Sequence, residues 1–367
     1  MKRRQFLRTA GIGAAASTIA APAIAQTQPE IRWRLASSFP KSLDTLFGTA
    51  EHIAKRVNEA TDGKFQIRVF AAGEIVPGLQ VLDAVQNETV ECGHAPPYYF
   101  IGKDPTFAFG TALPYGLNAR QQNAWMYHGG GLELWRDFLK GYNVYSFPAG
   151  NTGTQMGGWF RKEIKSAKDV EGLKFRIAGL GGQIFAKLGA VPSQIAPADI
   201  YPALEKGTID AVEFVGPYDD EKLGFVKVAK HYYYPGFWEG GASLDLLINL
   251  KHWQSLPKNY QAILEAACAE ANVWCVAQYD VVNAQALRRL VAAGAVLHPF
   301  PRDIMEAGYK IAFDMYDEIA AKNANFKKLY EAWKKSRDES YTWSRVAENP
   351  FENLVYSLSA RAQQRKG

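Results

Sequence analysis

The sequence is poor in cysteine and lacks the arrangements that make cysteine useful. Cys92, Cys268 and Cys275 are three, an odd number, with no CxxC pair. That excludes a thioredoxin-type redox motif and a paired-cysteine zinc site. Cys268 and Cys275 lie two helical turns apart, about 10 Å along a helix axis, which is beyond disulfide reach. All three are expected to be buried free thiols. The histidines (His52, His94, His128, His231, His252, His298) show no HExxH and no paired spacing, so no zinc site is expected. A GxSxG nucleophile elbow and a Walker A loop are also missing. Beyond the N-terminus, no segment offers the ~18 consecutive apolar residues that a membrane helix needs.

A basic excess is missing too, once the N-terminus is set aside. Residues 1–25 hold Lys2, Arg3, Arg4 and Arg8 and no acidic residue; without them 38 basic residues face 37 acidic ones, and the formal +5 falls to about +1. A nucleic-acid partner loses its electrostatic support and is not expected. Those residues read as an export signal: a charged start, an apolar stretch from Thr9 to Ala21, then Ala23-Ile24-Ala25 as an A-x-A cleavage site. The adjacent arginines followed by Gln5-Phe6-Leu7 resemble a twin-arginine (Tat) signal. Cleavage after Ala25 and a periplasmic product are expected. About 340 residues then remain, which suggests two domains.

Ile31 to Ala36 alternates like a strand, and Ser42 is placed to cap the next helix, in which Leu46, Ala50, Ile53, Val57 and Ala60 recur at helical spacing. A strand at 65–70, a helix at 77–87 and a strand at 89–92 follow. This alternation predicts parallel sheet and an α/β fold. Residues 81–92 are echoed by 200–211, each an amphipathic helix, a tight turn and a Thr-β-branched-acid-small strand. Two unrelated βαβ units would also look alike; a real echo means two similar lobes with a ligand cleft between their strand ends. Residues 257–293 are continuously helical, roughly 55 Å long, enough to span both lobes. Pro299 and Pro301 break the chain. The C-terminal segment, with Trp333, Trp343, Phe351 and Tyr356, is too apolar for a free tail.

Among polar features, Gly179-Leu180-Gly181-Gly182 follows a strand at 175–177, with Asp199 about twenty residues on. This resembles a dinucleotide fingerprint and would make the chain an NAD-type oxidoreductase. However, Ile184 stands where the third glycine belongs, which spoils the close helix–strand packing. A Gly-rich turn near a ligand is the alternative. The run Asp219-Asp220-Glu221 reads as a solvated helix start, and Tyr232-Tyr233-Tyr234 as lobe packing. Trp159 and Trp238 wall the pocket or fill the core.

Three long segments carry a family resemblance: GNTGTQMGGWFRKEI (150–164), DIYPALEKGTIDAVEFVGPYDDEKLGF (199–225) and YYYPGFWEGG (232–241). With them, essentially the whole chain after the signal resembles the extracytoplasmic solute receptors of tripartite ATP-independent periplasmic (TRAP) transporters. The likeness is to the branch that binds α-keto acids such as pyruvate and 2-hydroxy acids such as lactate.

The resemblance implies a non-enzymatic receptor that binds a small organic acid together with a cation, sodium or calcium, without an organic cofactor. Arg176 would clamp the carboxylate through its planar fork. Gln155 would contact the ligand–cation pair, and Glu213 and the Phe214 carbonyl would bind the cation, with Glu239 a further metal ligand. Family members commonly carry tryptophan where Phe214 stands. Tyr98 or Tyr99 would reach in from the first lobe, with Tyr99 favoured. A 2-oxo acid presents two oxygens to a hard cation, which prefers oxygen ligands. A receptor for a C4-dicarboxylate is the rival within the family. The implied partners are the TRAP membrane permease subunits and a second copy in a homodimer.

The expected architecture is thus an α/β two-lobed periplasmic binding protein fold with a long lobe-spanning helix and extra C-terminal helices. Residues 1–25 form the signal, 26–149 and 250–300 lobe 1 with the spanning helix, and 150–249 lobe 2. Residues 301–367 form helices that pack on the lobes and in the dimer contact.

Overall fold

Trp33 and Leu35 turn inward while Arg32 and Arg34 stay exposed, so the alternation read in the sequence becomes a half-buried strand. The computed structural model describes residues 28–364, and the expected signal at 1–25 lies outside them. The strands are β1 (Ile31–Ser37), β2 (Phe65–Phe70), β3 (Cys92–Ala95), β4 (Val144–Asn151), β5 (Gly158–Phe160), β6 (Lys174–Arg176), β7 (Val191–Ser193), β8 (Ala211–Val212), β9 (His231–Tyr234), β10 (Ser243–Asn249) and β11 (Val296–Pro299). The helices are α1 (Leu46–Ala60), α2 (Val81–Gln86), α3 (Ala119–His128), α4 (Gly131–Lys140), α5 (Gly179–Lys187), α6 (Pro197–Glu205), α7 (Pro217–Leu223), α8 (Leu250–Ser255), α9 (Lys258–Ala292), α10 (Arg302–Ala320), α11 (Ala324–Val346) and α12 (Glu348–Gln364).

Two sheets result, with strand orders β2-β1-β3-β10-β4 and β11-β9-β5-β8-β6-β7. Neither is purely parallel, as the βαβ alternation had suggested. β10 lies antiparallel to both β3 and β4, and β5 antiparallel to both β8 and β9. The antiparallel strands sit where the chain crosses between sheets. β4 ends in the first sheet and the chain enters the second as β5; β9 leaves the second and returns as β10. The expected boundaries therefore need correction. β10, placed in lobe 2 by the 150–249 division, belongs to the first sheet. β11, placed in lobe 1 by the 250–300 division, pairs with β9 in the second.

The crossing segments run side by side. Thr152 N donates to Ala242 O at 3.0 Å, Gln155 N to Glu239 O at 3.1 Å, and Gly236 N to Gln155 O at 2.9 Å. Helix α9 makes the third connection. At 1.5 Å per residue its 35 residues reach about 52 Å, and it contacts α1 and β4 with one part and α7 with another. Its cysteines, Cys268 and Cys275, are buried and free, as is Cys92. Apolar residues of α10 and α11, including Met315, Tyr316, Phe326, Leu329 and Trp333, join the core of the first lobe. Helix α12 instead leaves Phe351, Leu354, Tyr356 and Leu358 exposed. Among the described residues, no helix is long and apolar enough to cross a membrane.

Two local expectations fail. Helix α1 starts at Leu46 with Thr45 as its N-cap and no side-chain capping bond, so Ser42 does not cap it. The strand expected at 89–92 begins at Cys92, because Glu88 turns the chain at φ 59°.

The larger correction concerns Asp219 and Asp220, read as a solvated helix start and found fully buried. Asp219 accepts the Tyr279 hydroxyl of α9 at 2.5 Å, and Asp220 accepts Trp159 Nε1 at 3.0 Å and the Tyr232 hydroxyl at 2.7 Å. Burial pushes Asp219 up to about 7 and Asp220 up to about 6, from an ordinary 3.8. A carboxyl raised on folding binds its proton more tightly in the folded state, so it erodes stability as pH rises from about 4 through its folded value. Asp219→Asn removes that titration. Its stability relative to the parent protein should rise between pH 4 and 7, by at most about 1.4 kcal/mol per pH unit. Urea unfolding across that range checks this; a pH-independent difference would contradict the assignment.

Candidate functional site

Strand ends and crossing segments bring the expected site residues together. Arg176 is the last residue of β6. Glu213 and Phe214 follow β8 directly, held by a Glu213 N to Arg176 O bond of 2.9 Å. Gln155 and Glu239 lie on the two paired crossing segments. Tyr98 and Tyr99 come from the first lobe, in a short 3-10 turn at Pro97–Phe100. All seven side chains are buried. Phe39, Leu46, Pro96, Thr152, Val215, Ala242 and Leu244 line a cavity together with Tyr98, Tyr99, Gln155 and Phe214.

Arg176 is tied down on one side only. Its Nε donates to Ile195 O at 3.2 Å, and its Nη1 donates to the Glu213 carbonyl and lies 3.3 Å from Glu213 Oε2. The Phe214 ring backs the guanidinium at 5.5 Å from the ring centroid. Gln155 Nε2 donates to Thr152 Oγ1 at 3.1 Å, which fixes the amide. Thr152 is a positioning residue that the sequence reading missed, although it stands three residues before Gln155. Lobe 1 contributes more than the expected tyrosine: Phe39, Leu46 and Pro96 reach the cavity with no local sequence signal, because only the lobe contact places them there.

Among the described residues, five buried atoms of these seven side chains lack a partner of good hydrogen-bond geometry: Gln155 Oε1, Arg176 Nη2, Glu213 Oε1 and both carboxylate oxygens of Glu239, although Tyr98 and Gln155 lie near enough to Glu239 to favour its charged form. Four are acceptors and one is a donor. Buried polar atoms are rarely left unpaired, because each costs about 1–3 kcal/mol. Burial pushes Glu213 up to about 8, with Arg176 opposing. Burial, reinforced by the charge of Glu213, pushes Glu239 well above the carboxylate range. Burial also raises Tyr99 to about 12, so it stays a neutral hydroxyl. Among the described residues, no group of three or more His, Cys, Asp or Glu side chains could hold a metal ion. The two carboxylates and the amide oxygen nevertheless fit a hard cation whose other ligands are carbonyl or ligand oxygens.

The Gly-rich turn at 179–182 is accounted for without a nucleotide. Gly179 opens α5 at φ 63°, and a Cβ there would stand 2.4 Å from Tyr98 Cδ2. The turn accommodates the other lobe's tyrosine.

Residues 36–323 match the family described as bacterial extracellular solute-binding protein, family 7. The chain belongs to that family. It is 53% identical, over 97% of its length and 100% of the relative's, to the monocarboxylate 2-oxoacid-binding periplasmic protein of Nostoc sp.. Among solved structures, a TRAP transporter solute-binding protein from Bordetella bronchiseptica is 52% identical with TM-score 0.90, covering 91% of this chain and 100% of that one. It is a mixed-occupancy dimer with copurified calcium and picolinate in one site and the other site apo. A TRAP periplasmic solute-binding protein from Pseudoalteromonas atlantica, with bound sodium and pyruvate, is 37% identical with TM-score 0.86, covering 88% and 99%. The fold is thus that of the TRAP periplasmic solute-binding proteins, and the chain is a TRAP solute receptor that acts outside the cytoplasm.

Glu239→Gln tests the electrostatics without any ligand. A raised carboxyl lowers stability as pH climbs above its unfolded value near 4.5, and glutamine does not titrate. The variant should be about 1–3 kcal/mol more stable at pH 8 and equal to the parent near pH 4, as read by thermal unfolding. A variant less stable at pH 8 would show that Glu239 is satisfied in the free protein.

Proposed function

We propose that this receptor captures a small 2-oxo acid such as pyruvate, or a related 2-hydroxy acid such as lactate, together with a cation. The supporting observation is the set of five unpartnered atoms, which has the composition such a pair requires. Arg176 Nη2 is the one free donor and suits a ligand carboxylate. Gln155 Oε1, Glu213 Oε1 and the Glu239 oxygens suit a cation, with the Phe214 carbonyl and the acid's own oxygens filling the remaining positions. Tyr99 offers a hydroxyl from the first lobe. The named ligands of the relatives agree with this chemistry.

Charge balance favours calcium over sodium. Arg176 with ionised Glu213 and Glu239 carries −1, and a monocarboxylate makes it −2. A divalent cation cancels this, whereas a monovalent one leaves −1 buried, which is costly. The cation in turn needs the acid, because the protein supplies too few carboxylates alone, so the two ligands bind interdependently. A C4-dicarboxylate is less well served: among the described residues Arg176 is the one cation that acts on Glu213 and Glu239, and it is taken up by the first carboxylate.

The family membership supports a periplasmic receptor, and the N-terminal arginine pair supports the export route. The receptor is exported by the Tat route through residues 1–25 and works in the periplasm. It delivers its acid to TRAP permease subunits and pairs with a second copy through the apolar residues of α12.

Calorimetry of refolded, ligand-stripped protein with pyruvate tests the assignment. Binding should need added calcium or sodium, be tighter with calcium, and weaken at least 100-fold in Glu239→Gln and Arg176→Lys. Pyruvate binding in chelator that neither substitution weakens would overturn the cation and site assignments. Heat with a dicarboxylate but none with pyruvate or lactate would overturn the ligand class.

A further inference from the structure

Helix α7 begins three residues after Phe214, and its polar side chains from Tyr218 to Lys222 face three different parts of the molecule. Asp219 faces α9 through Tyr279, and Asp220 faces Trp159 and Tyr232 of the second sheet. Glu221 receives Arg289 of α9 through Nε at 2.8 Å and Nη2 at 2.6 Å. Tyr218 and Lys222, one helical turn apart, instead reach the first lobe. The Tyr218 hydroxyl donates to Asp44 Oδ2 at 3.2 Å. Lys222 Nζ lies 2.5 Å from Asp44 Oδ1 and 3.3 Å from the Ser42 carbonyl. The same ammonium sits 4.3 Å over the Tyr218 ring. Ser42 and Asp44 belong to the loop from β1 to α1, anchored in the lobe contact by Phe39 and Leu43. Among the described residues, and setting aside α9 and the C-terminal helices, Lys222–Asp44 is the only ion pair that joins an element of one sheet's lobe to an element of the other's.

We propose that Asp44, Tyr218 and Lys222 form a latch that sets how long the receptor retains its ligand. The three contact one another and Ser42 and none of the seven site side chains, so they are positioning residues that act through lobe contact and do not touch the ligand. Entry of a ligand requires separated lobes, in which the latch is already broken, so it leaves the association rate nearly unchanged. Release requires breaking it, so it slows dissociation. Differential stabilisation of one state changes its population by the corresponding factor. Asp44 is more than half exposed, so water and salt compete for it once the lobes part. One exposed ion pair contributes modestly, and the cation–π contact and the Ser42 carbonyl add to it.

The test is stopped-flow binding of pyruvate with calcium, a probe that rests on the receptor reading above. Lys222→Met, which keeps the apolar stem, should raise the dissociation rate about 3- to 10-fold, with the association rate within about twofold. Asp44→Asn should act in the same direction, and the charge swap Asp44→Lys with Lys222→Asp should recover most of the loss. Raising salt should speed release from the parent protein but not from Lys222→Met. Unchanged dissociation in both single variants, or a swap no better than either, would overturn the latch. An arm without ligand separates this from the receptor reading. Spin labels at Gln66→Cys and Lys206→Cys, both exposed positions on opposite lobes, report lobe separation. Lys222→Met should shift their distances towards longer values. If the parent protein fails to bind pyruvate, the ligand class falls and these distances alone decide; an unshifted distribution overturns the latch.

Discussion

Two carboxylates held out of water beside a single guanidinium set the terms for the rest of the site. Glu213 is neutralised only in part, since Arg176 reaches one of its oxygens and its backbone carbonyl. Among the described residues Glu239 makes no ion pair, and the charge of Glu213 works against it more than Arg176 helps it. Such a set is costly in isolation, because buried charge without a partner is disfavoured by several kcal/mol. The free protein can relieve it by protonation, which the upward shifts of both groups express. Bound cation and acid would relieve it with the carboxylates ionised. The site therefore stores, in its unpaired acceptors, a preference for positive charge that no apolar pocket of the same shape would have.

That arrangement depends on where the chain crosses between sheets. Gln155 and Glu239 lie on neighbouring crossing segments whose backbones are hydrogen-bonded to each other. They keep their mutual spacing because the connection itself is a two-stranded ribbon. Arg176 and Glu213 are tied across β6 and β8 of the second sheet. All four groups that carry charge or coordinate through a carboxylate or amide thus hang on backbone pairing, which is rigid, and not on loop conformation. The first lobe adds the rings of Tyr98 and Tyr99 and an apolar wall, which exclude water, and its polar contribution is confined to the two tyrosine hydroxyls. Polarity is concentrated on one side of the cavity and dryness on the other, and it is lobe contact that brings them together.

Much of this was legible in the residues. An arginine inside an apolar strand demands an anion, and Arg176 has one. The three quoted segments hold Gln155, Glu213 and Glu239, and the structure buries all three at strand ends or on the segments that cross between sheets. The failures are equally physical. Asp219-Asp220-Glu221 looks like a solvated helix start because nothing within a few residues offers a partner; Tyr279, Trp159 and Tyr232 come from 12 to 61 positions away. The sheet assignments of β10 and β11 were misjudged because a strand's pattern records that one face is buried, not which sheet it joins. Only chain crossing decides that, and crossing leaves no periodic trace.

Gly179 shows how a local signal can be right about backbone and wrong about chemistry. Its φ of 63° and its position at the start of α5 are what a Gly-rich phosphate turn would show. A nucleotide would need the space beside that turn for its phosphate. Tyr98 fills that space, close enough that even a methyl group at position 179 would collide with its ring. The residue that forbids a side chain at 179 is part of the other lobe's wall of the acid site. The glycine is therefore required by lobe contact, and the same turn that resembles a dinucleotide fingerprint is what lets the two lobes come within touching distance around a much smaller ligand.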